Sequence, residues 1–377
     1  MKENLRISIL GDVCPDRSFN RFFRNTNEIV FNNVSEYIND SDITIANLEA
    51  PASDKGNPIE KTGPRLHCKS DDLDALKQIG IDVISLANNH ILDYGEEALS
   101  DTINKASSIG LSVFGAGKNL EEAAKPLFVE KSGWKIGFLS YAEEEFSIAG
   151  KQSFGANLFD PYISLDQIKD AKEECDYLIV LYHGGIEHYE LPSPLLQKKC
   201  RKIAEYGANL ILCQHSHCIG TLEKYQDSEI LYGQGNSFFG KIEGNNRWNQ
   251  GFLVDVVLTE TDKKLEFKLI KAENNGIAFA NREDSDKRLE EMLTLSEKIY
   301  DEVFIIDSWN DYCKTQEAMD LALVYGWGRT LNKINRIFNN KIANFLLSKR
   351  KRMITMNLIR CDAHREVVKT ILENTYE

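Results

Sequence analysis

Polar residues that can bind a metal follow short apolar, strand-like runs at several points of this chain, and no other feature constrains the fold as strongly. These residues are Asp12, Glu49, Asn89, His90, His183, His215 and His217. In an α/β sheet the carboxyl ends of neighbouring strands share one edge, and ligands bind in the crevice there. Two carboxylates, an amide and several imidazoles on that edge predict a metal site beside a substrate pocket.

Short apolar runs alternate with amphipathic stretches from residue 6 to about residue 271, a pattern typical of β-α-β units. The predicted strands are 6–10, 43–48, 83–87, 135–140, 177–182, 210–213, 230–232, 251–258 and 265–271. The last two predict an antiparallel hairpin at the sheet edge. Helix N-caps are predicted at Ser70, Ser164 and Ser193, because serine is favoured at that position.

The apolar spacing becomes helical after about residue 282. We therefore predict a first domain at residues 1–284 and a helical accessory domain at residues 285–377. The second domain contains a basic run, Lys349–Arg352, beside apolar residues. Such a run is compatible with weak contact to an anionic membrane surface or a partner enzyme, and more often belongs to a soluble helical cap with a solvated charged face.

The formal net charge of −13 argues against nucleic-acid binding over the whole surface, and we expect no nucleic-acid partner. No stretch approaches the roughly 18 to 20 consecutive apolar residues of a membrane-spanning helix. Eight cysteines without regular spacing favour reduced thiols. The first apolar run is short and ends at Asp12, unlike a signal peptide, so we predict a cytoplasmic location.

Three histidines and two carboxylates are the strongest metal-ligand candidates. His215 and His217 lie two residues apart, so in an extended segment both imidazoles face the same side. With His183, Asp12 and Glu49 they form a mixed nitrogen and oxygen set suited to zinc, iron or manganese. Simpler explanations exist for each: a solvated loop for the histidine pair, a turn or N-cap for Asp12, and a surface position for Glu49.

The segment from Asn89 to Asp93 carries the candidates for proton transfer. Asn89 can bind a metal through its carbonyl oxygen, and His90 can act as a general acid. Asp93 can orient that imidazole or cap the next helix, and asparagine is also common in turns. Arg17 is a candidate anion clamp, because guanidinium binds carboxylate or phosphate in a fork; a surface salt bridge is the alternative.

Two turns after predicted strands supply further candidates for substrate binding. Glu187 is placed to contact the substrate or a histidine of the site. Asn236 is placed to contact the substrate or to hydrogen-bond a ligand histidine. We predict that His188 has no role in the site.

The order of these motifs resembles the CapA family, bacterial poly-γ-glutamate capsule-biosynthesis proteins related to the calcineurin-like metallophosphoesterases. The resemblance covers about residues 5–260 and is carried by Gly11-Asp12, Arg17, Asn47-Leu48-Glu49, Ala87-Asn88-Asn89-His90, Asp93, Gly95, His183, Gly185, Glu187, Gly207-Ala208, His215-Ser216-His217 and Gly235-Asn236-Ser237-Phe238. It implies an α/β fold, a four-layer α/β/β/α metallophosphoesterase-like sandwich, here with a C-terminal helical extension.

The resemblance also implies a centre for two divalent metal ions, whether manganese, iron or zinc. One ion would be held by Asp12, Glu49 and His217. The other would be held by Glu49, Asn89, His183 and His215, with Glu49 as the bridge and His90 near the leaving group.

Four residues depart from the pattern that the resemblance implies. Cys14 stands where the broader class has a histidine, which leaves thiolate ligation, a weak or empty first site, or simple packing open. Glu49 replaces an aspartate, Gly184 a tryptophan and Ser216 a proline. These changes alter the wall of the pocket and bear on substrate choice.

The function that we predict is a metal-dependent hydrolase with an anionic small-molecule or polymer substrate. The bond would be a phosphoester or a γ-glutamyl-type amide in capsule or cell-envelope polymer metabolism. The alternative is a non-catalytic capsule-assembly factor that binds a metal or a polyanion. In that case the basic tail would dock to an anionic membrane face or to a partner enzyme.

Overall fold

A computed structural model describes residues 2–15, 27–273, 276–338, 341–346 and 348–376. The chain divides into two compact units, Met1–Ile306 and Asp307–Glu377. No helix in the described ranges combines the length and the apolar character needed to cross a membrane.

The strands are β1 (Leu5–Val13), β2 (Ile43–Leu48), β3 (Val83–Ser85), β4 (Ser112–Phe114), β5 (Ala116–Gly117), β6 (Leu127–Lys131), β7 (Trp134–Ala142), β8 (Gly155–Ala156), β9 (Tyr177–His183), β10 (Leu210–Gln214), β11 (Leu222–Tyr225), β12 (Ser228–Leu231), β13 (Asn236–Phe238), β14 (Gln250–Leu258), β15 (Lys263–Glu273) and β16 (Gly276–Phe279). The helices are α1 (Asn27–Asn39), α2 (Ser70–Gln78), α3 (Gly95–Ser108), α4 (Leu120–Ala123), α5 (Ser164–Glu173), α6 (Pro194–Glu205), α7 (Arg282–Ser296), α8 (Glu302–Val324), α9 (Arg329–Ile337), α10 (Lys341–Leu346), α11 (Lys349–Arg360) and α12 (Asp362–Tyr376), with a 3₁₀ turn at Glu297–Tyr300.

Two mixed sheets form the centre of the first unit. The first has the order β16-β15-β14-β1-β2-β3-β4, with β13 also paired to β1. The strands β1 to β4 are parallel, and β14, β15 and β16 are antiparallel. The predicted hairpin of β14 and β15 is confirmed, but its predicted place at the sheet edge is wrong, because β16 forms that edge. The second sheet has the order β11-β12-β10-β9-β7-β6, with a parallel centre of β7, β9, β10 and β12.

The side chains alternate along the strands, and this alternation builds four layers. On β9, Ile179 and Leu181 enter the core between the two sheets, together with Ile7 and Ile45 of the first sheet. The intervening residues of β9 pack outward against α5 and α6. The first sheet packs its other face against α1, α2 and α3. Burying each such aliphatic side chain contributes about 1.5–3 kcal/mol, and the predicted α/β/β/α sandwich is confirmed.

The predicted helix starts are correct in one case and wrong in two. Ser193 caps α6, because its hydroxyl accepts a hydrogen bond from Leu196 N at 3.1 Å. Ser164 and Ser70 are instead the first residues of α5 and α2. The Ser164 hydroxyl accepts a hydrogen bond from Asp160 N and donates one to the carbonyl of Leu158, so it is directed to the preceding turn rather than to the helix.

The division between the units falls later than the boundary predicted at 284/285. Helix α7 and the 3₁₀ turn belong to the first unit because Met292 and Ile299 are buried in its cores. Leu222 N also donates a hydrogen bond to Ser296 Oγ at 2.8 Å. Sequence periodicity marks these residues as helical but does not indicate what they pack against.

Candidate metal centre

The predicted ligands lie where strands of the two sheets end together. Asp12 is near the end of β1, and Glu49 directly follows β2. His183 ends β9, and His215 directly follows β10. Ligand atoms of Glu49, His183 and His215 lie within 4.8 Å of one another, as do those of Asp12, Glu49 and His217. The structure thus brings the carboxylates and histidines predicted from the sequence into two adjoining groups that share one glutamate.

Glu49 occupies the position of a bridge between these groups. Its Oε1 lies 3.6 Å from His183 Nε2 and 3.7 Å from His217 Nε2. Both carboxylate oxygens of Glu49 and Nδ1 of His215 are buried and have no hydrogen-bond partner within the described ranges. Buried polar atoms normally have a partner, so these three atoms fit a site that holds cations.

The electrostatics of the site favour the same interpretation. Burial raises the pKa of Glu49 well above its usual value, and the negative charge of Asp12 raises it further. Burial also lowers the pKa of His183 and of His215, and the neighbouring imidazoles lower both further. Neutral imidazole is the form that binds metals. The centre therefore combines a destabilised carboxylate with neutral histidines. A divalent cation would offset the free-energy cost of burying the unpaired carboxylate.

Asparagine side chains hold the ligands in place. Asn47 Nδ2 donates to Asp12 Oδ1 at 2.8 Å and lies 3.3 Å from His183 Nδ1. The other oxygen of Asp12 accepts a hydrogen bond from His215 N at 3.1 Å. No role for Asn47 is predicted from the sequence, although a polar residue inside the buried strand β2 is a signal that could identify it.

Asn89 lies against the histidine side of the centre, as its predicted role as a ligand requires. Its Oδ1 is 3.0 Å from His183 Nε2, and its Nδ2 donates to Glu145 Oε2 at 3.2 Å. Glu145 therefore fixes which atom of the amide faces the histidine. No sequence pattern marks Glu145 as part of the site.

The backbone around the last two histidines is not extended, so that part of the prediction is wrong. His215 has φ of 83° and His217 has φ of 51°, both in the left-handed region. Such conformations are costly for residues other than glycine and cluster at functional sites. Both imidazoles reach the site because the chain turns sharply at each of them.

Asn236 orients His217. Its Oδ1 lies 2.9 Å from His217 Nδ1, and its Nδ2 donates to the carbonyl of Trp248 at 2.9 Å. The imidazole also packs against the rings of Trp248 and Phe239, with centroid distances of 4.6 and 5.0 Å. Because both polar groups of Asn236 are used within the protein, we assign it to orienting the ligand rather than to contacting substrate. The sequence analysis missed both aromatic residues.

Replacing Asn236 with alanine should lower metal affinity at the first site about 10- to 100-fold, the usual effect of losing a partner of a ligand histidine. Isothermal titration with Mn²⁺ measures this loss. Asn236→Asp keeps the acceptor for His217 and should retain more affinity than Asn236→Ala. Equal affinities in the alanine variant and the wild type would contradict the assignment.

His90 and Asp93 form the pair predicted for proton transfer. His90 Nδ1 lies 2.6 Å from Asp93 Oδ2, which also accepts a hydrogen bond from Leu66 N at 2.7 Å. Lys61 Nζ lies 2.5 Å from Asp93 Oδ1 and 3.3 Å from His90 Nδ1. Lys61 is thus a third member of this group, and no local pattern marked its surface segment as part of the site.

Lys61→Met should destabilise the protein by about 3–5 kcal/mol, because it leaves the Asp93 carboxylate buried without its cation. The side chains of this pair are only 3% and 0% exposed. Urea unfolding measures the change, and adding Asp93→Asn should recover much of it. The matched control is Lys77→Met, which removes an accessible ion pair to Asp82 and should cost no more than about 1 kcal/mol. Similar losses in Lys61→Met and the control would contradict the buried pairing.

The remaining predicted residues lie around the centre or outside the described ranges. Glu187 is half-exposed, and its negative charge contributes to raising the pKa of Glu49. Cys14 is buried and, among the described residues, belongs to neither ligand group. Arg17 lies outside the described residues, so its role as an anion clamp stays a prediction.

The glycine at position 184 has a clear steric reason. A Cβ on Gly184 would clash with the side chain of Glu143. Glu143 is held there by Tyr182 OH at 2.8 Å, by Lys199 Nζ at 2.5 Å and by Gly185 N at 3.1 Å. In this chain an ion-paired glutamate therefore occupies the wall where the resemblance places a larger residue.

Comparison with known families agrees with the order of these motifs. Residues 6–241 match the family described as bacterial capsule synthesis protein PGA_cap. The chain belongs to this family. It is 29% identical over 248 residues to the capsule biosynthesis protein CapA of Bacillus anthracis, covering 63% of this chain and 60% of the relative.

A second relative and a solved structure extend the comparison. The chain is 27% identical over 242 residues to the PGA biosynthesis protein CapA of Bacillus subtilis, covering 62% of this chain and 63% of that protein. It spans less than two thirds of the length of either relative. A novel phosphatase from Mycoplasma pneumoniae is similar at 19% identity and a TM-score of 0.47, with 72% of this chain and 95% of that chain covered.

Proposed function

We propose that this protein is a metal-dependent hydrolase that acts in the metabolism of a capsule or cell-envelope polymer. The observation that carries the proposal is the buried carboxylate of Glu49, which lies between His183 and His217 without a hydrogen-bond partner for either oxygen within the described part of the chain. A carboxylate in this environment is suited to bridging two divalent cations, the arrangement of two-metal hydrolytic sites.

Asp12, Glu49 and His217 would hold one divalent ion, and Glu49, Asn89, His183 and His215 would hold the other. Bound ions would act as Lewis acids there, providing a nucleophile at neutral pH and neutralising charge that develops on oxygen. Manganese, iron and zinc all suit this donor set.

Residues of the chain would supply the proton for the leaving group and the positive charges that hold Asp93 and the substrate. The Nδ1 atom of His90 is hydrogen-bonded to Asp93, which leaves Nε2 as the nitrogen available to protonate a leaving group. Lys61 neutralises Asp93 and holds it in place. Arg17 is the proposed clamp for an anionic group of the substrate.

The proposed substrate is an anionic small molecule or polymer that contains a phosphoester or a γ-glutamyl-type amide. The relative from Bacillus subtilis is described as a PGA biosynthesis protein, which supports a polymer with γ-glutamyl-type amide bonds. Both reactions develop negative charge on oxygen and would use the same centre. The alternative is a non-catalytic assembly factor that binds a metal or a polyanion.

The test is a screen of the full chain with Mn²⁺ on bis(p-nitrophenyl) phosphate and on γ-glutamyl peptides. Turnover that depends on added metal and is lost in His215→Ala would support the hydrolase. His364→Ala is the matched control, because this histidine is exposed in the second unit. Metal binding without turnover on either substrate would favour the assembly factor.

A further inference from the structure

An open apolar groove lies between α11 and α12, and the proposed function does not use it. The groove has a volume of about 730 Å³. Met353, Ile354 and Leu358 line one side, and Val367 and Val368 line the other. We propose that this groove and its basic rim bind the surface of an anionic lipid membrane.

More than half of the surface of several apolar side chains in the groove is exposed to solvent. Met353 is 63%, Ile354 is 53% and Val367 is 58% exposed. The opposite side of α11 is engaged within the second unit, since Arg352 pairs with Glu317 at 2.8 Å and Thr355 hydrogen-bonds Tyr325. On the groove side, aliphatic residues and the basic residues at its end share one face, as in helices that lie at a membrane interface, although Met356 and Ile359, outside the groove, are also exposed.

Basic residues at one end of the groove favour an anionic binding partner. Lys349 and Arg350 line the groove itself, and Lys351 and Arg352 follow directly. Helix α11 contains no acidic residue, although the chain as a whole carries a net charge of −13. Cations beside aliphatic side chains match the surface of an anionic lipid leaflet. Lysine and arginine can extend to the charged headgroups, while the apolar residues insert where the headgroups meet the acyl chains.

Vesicle flotation of the full chain tests this proposal. Wild-type protein should float with vesicles of phosphatidylcholine and phosphatidylglycerol and should remain unbound with phosphatidylcholine alone. Lys349→Gln with Arg350→Gln should lower the partition coefficient roughly tenfold or more, since each cation near an anionic surface contributes strongly to binding. Raising the salt concentration from about 0.1 to 1 M should weaken binding, because the Debye length falls from about 10 to 3 Å.

The matched control is Lys263→Gln with Lys264→Gln, which removes the same charge from the exposed hairpin turn of the first unit. This variant should bind vesicles like the wild type. Met353→Gln with Ile354→Gln tests the apolar contribution and should also reduce flotation, with circular dichroism verifying that the helices persist.

Three results would overturn the proposal. Wild-type protein that does not float with anionic vesicles rules out the membrane surface. Equal loss in the control variant would assign binding to total charge rather than to the groove. A dimer in light scattering that dissociates in Met353→Gln with Ile354→Gln would assign the groove to a second copy of the chain. None of these results depends on hydrolysis, so the proposed function is tested separately.

Discussion

Glu49→Gln should stabilise the protein without metal and prevent its stabilisation by metal. In the metal-free protein the substitution removes a buried charge that has no hydrogen-bond partner in the described residues, and we expect a gain of about 1–3 kcal/mol in the free energy of unfolding. With Mn²⁺ at a thousand times its dissociation constant, the wild type should gain about 4 kcal/mol and the variant much less. The order of stability of the two proteins should therefore reverse.

The pH dependence of the metal-free proteins follows from the same carboxyl group. Burial raises the pKa of Glu49 above its ordinary value of 4.5. A carboxyl group whose pKa is higher in the folded state favours folding at low pH and opposes it increasingly as the pH rises. The advantage of Glu49→Gln should thus grow as the pH is raised above about 4.5.

Urea unfolding with EDTA and with Mn²⁺ measures both effects. The matched control is Glu266→Gln, which changes an accessible carboxylate paired with Lys264 and should shift stability by no more than about 1 kcal/mol. Destabilisation of the metal-free protein by Glu49→Gln, by an amount that does not depend on pH, would contradict the account of this residue.

On a substrate whose leaving group must be protonated, such as a γ-glutamyl peptide, His215→Ala and His90→Ala should both abolish most hydrolysis, but for different reasons. His215 belongs to a ligand group, so its loss should remove one bound ion and lower turnover by roughly a thousandfold or more, given the several kcal/mol that a metal contributes. His90 is the proposed proton donor, so its loss should lower turnover about 10²- to 10⁴-fold and leave both ions bound.

Metal content and turnover, measured on the same preparations, separate these roles. Elemental analysis should give two ions per chain for the wild type and for His90→Ala, and fewer for His215→Ala. A substrate whose leaving group needs no proton should restore activity in His90→Ala alone. Loss of an ion in His90→Ala would assign that residue to metal binding instead.

The parts of the fold that follow from the sequence are the buried strands that form continuous apolar runs. Buried strands such as β9 are long enough to be predicted from their apolar residues. The parallel pairing of β9 and β10 then places His183, at the carboxyl end of β9, next to His215. The strands β4 and β13 were not predicted because each has only three residues and begins with a polar one, whereas the equally short β3 begins an apolar run.

The parts of the site that could not be predicted are those that depend on tertiary contacts. Lys61 lies in an irregular surface segment, and only the fold brings its amine to Asp93. Trp248 reaches His217 through a long loop. The left-handed backbone at His215 could not be predicted either, because positive φ is uncommon for any residue other than glycine and no glycine occupies this position.

The most direct test of the two-ion centre is X-ray crystallography of the protein with Mn²⁺, using anomalous scattering at the manganese edge. Two anomalous peaks should share the carboxylate of Glu49 as a ligand, one also bound by Asp12 and His217, the other by His183 and His215. A single peak bound only by surface carboxylates, or no peak in contact with Glu49, would contradict the proposed centre.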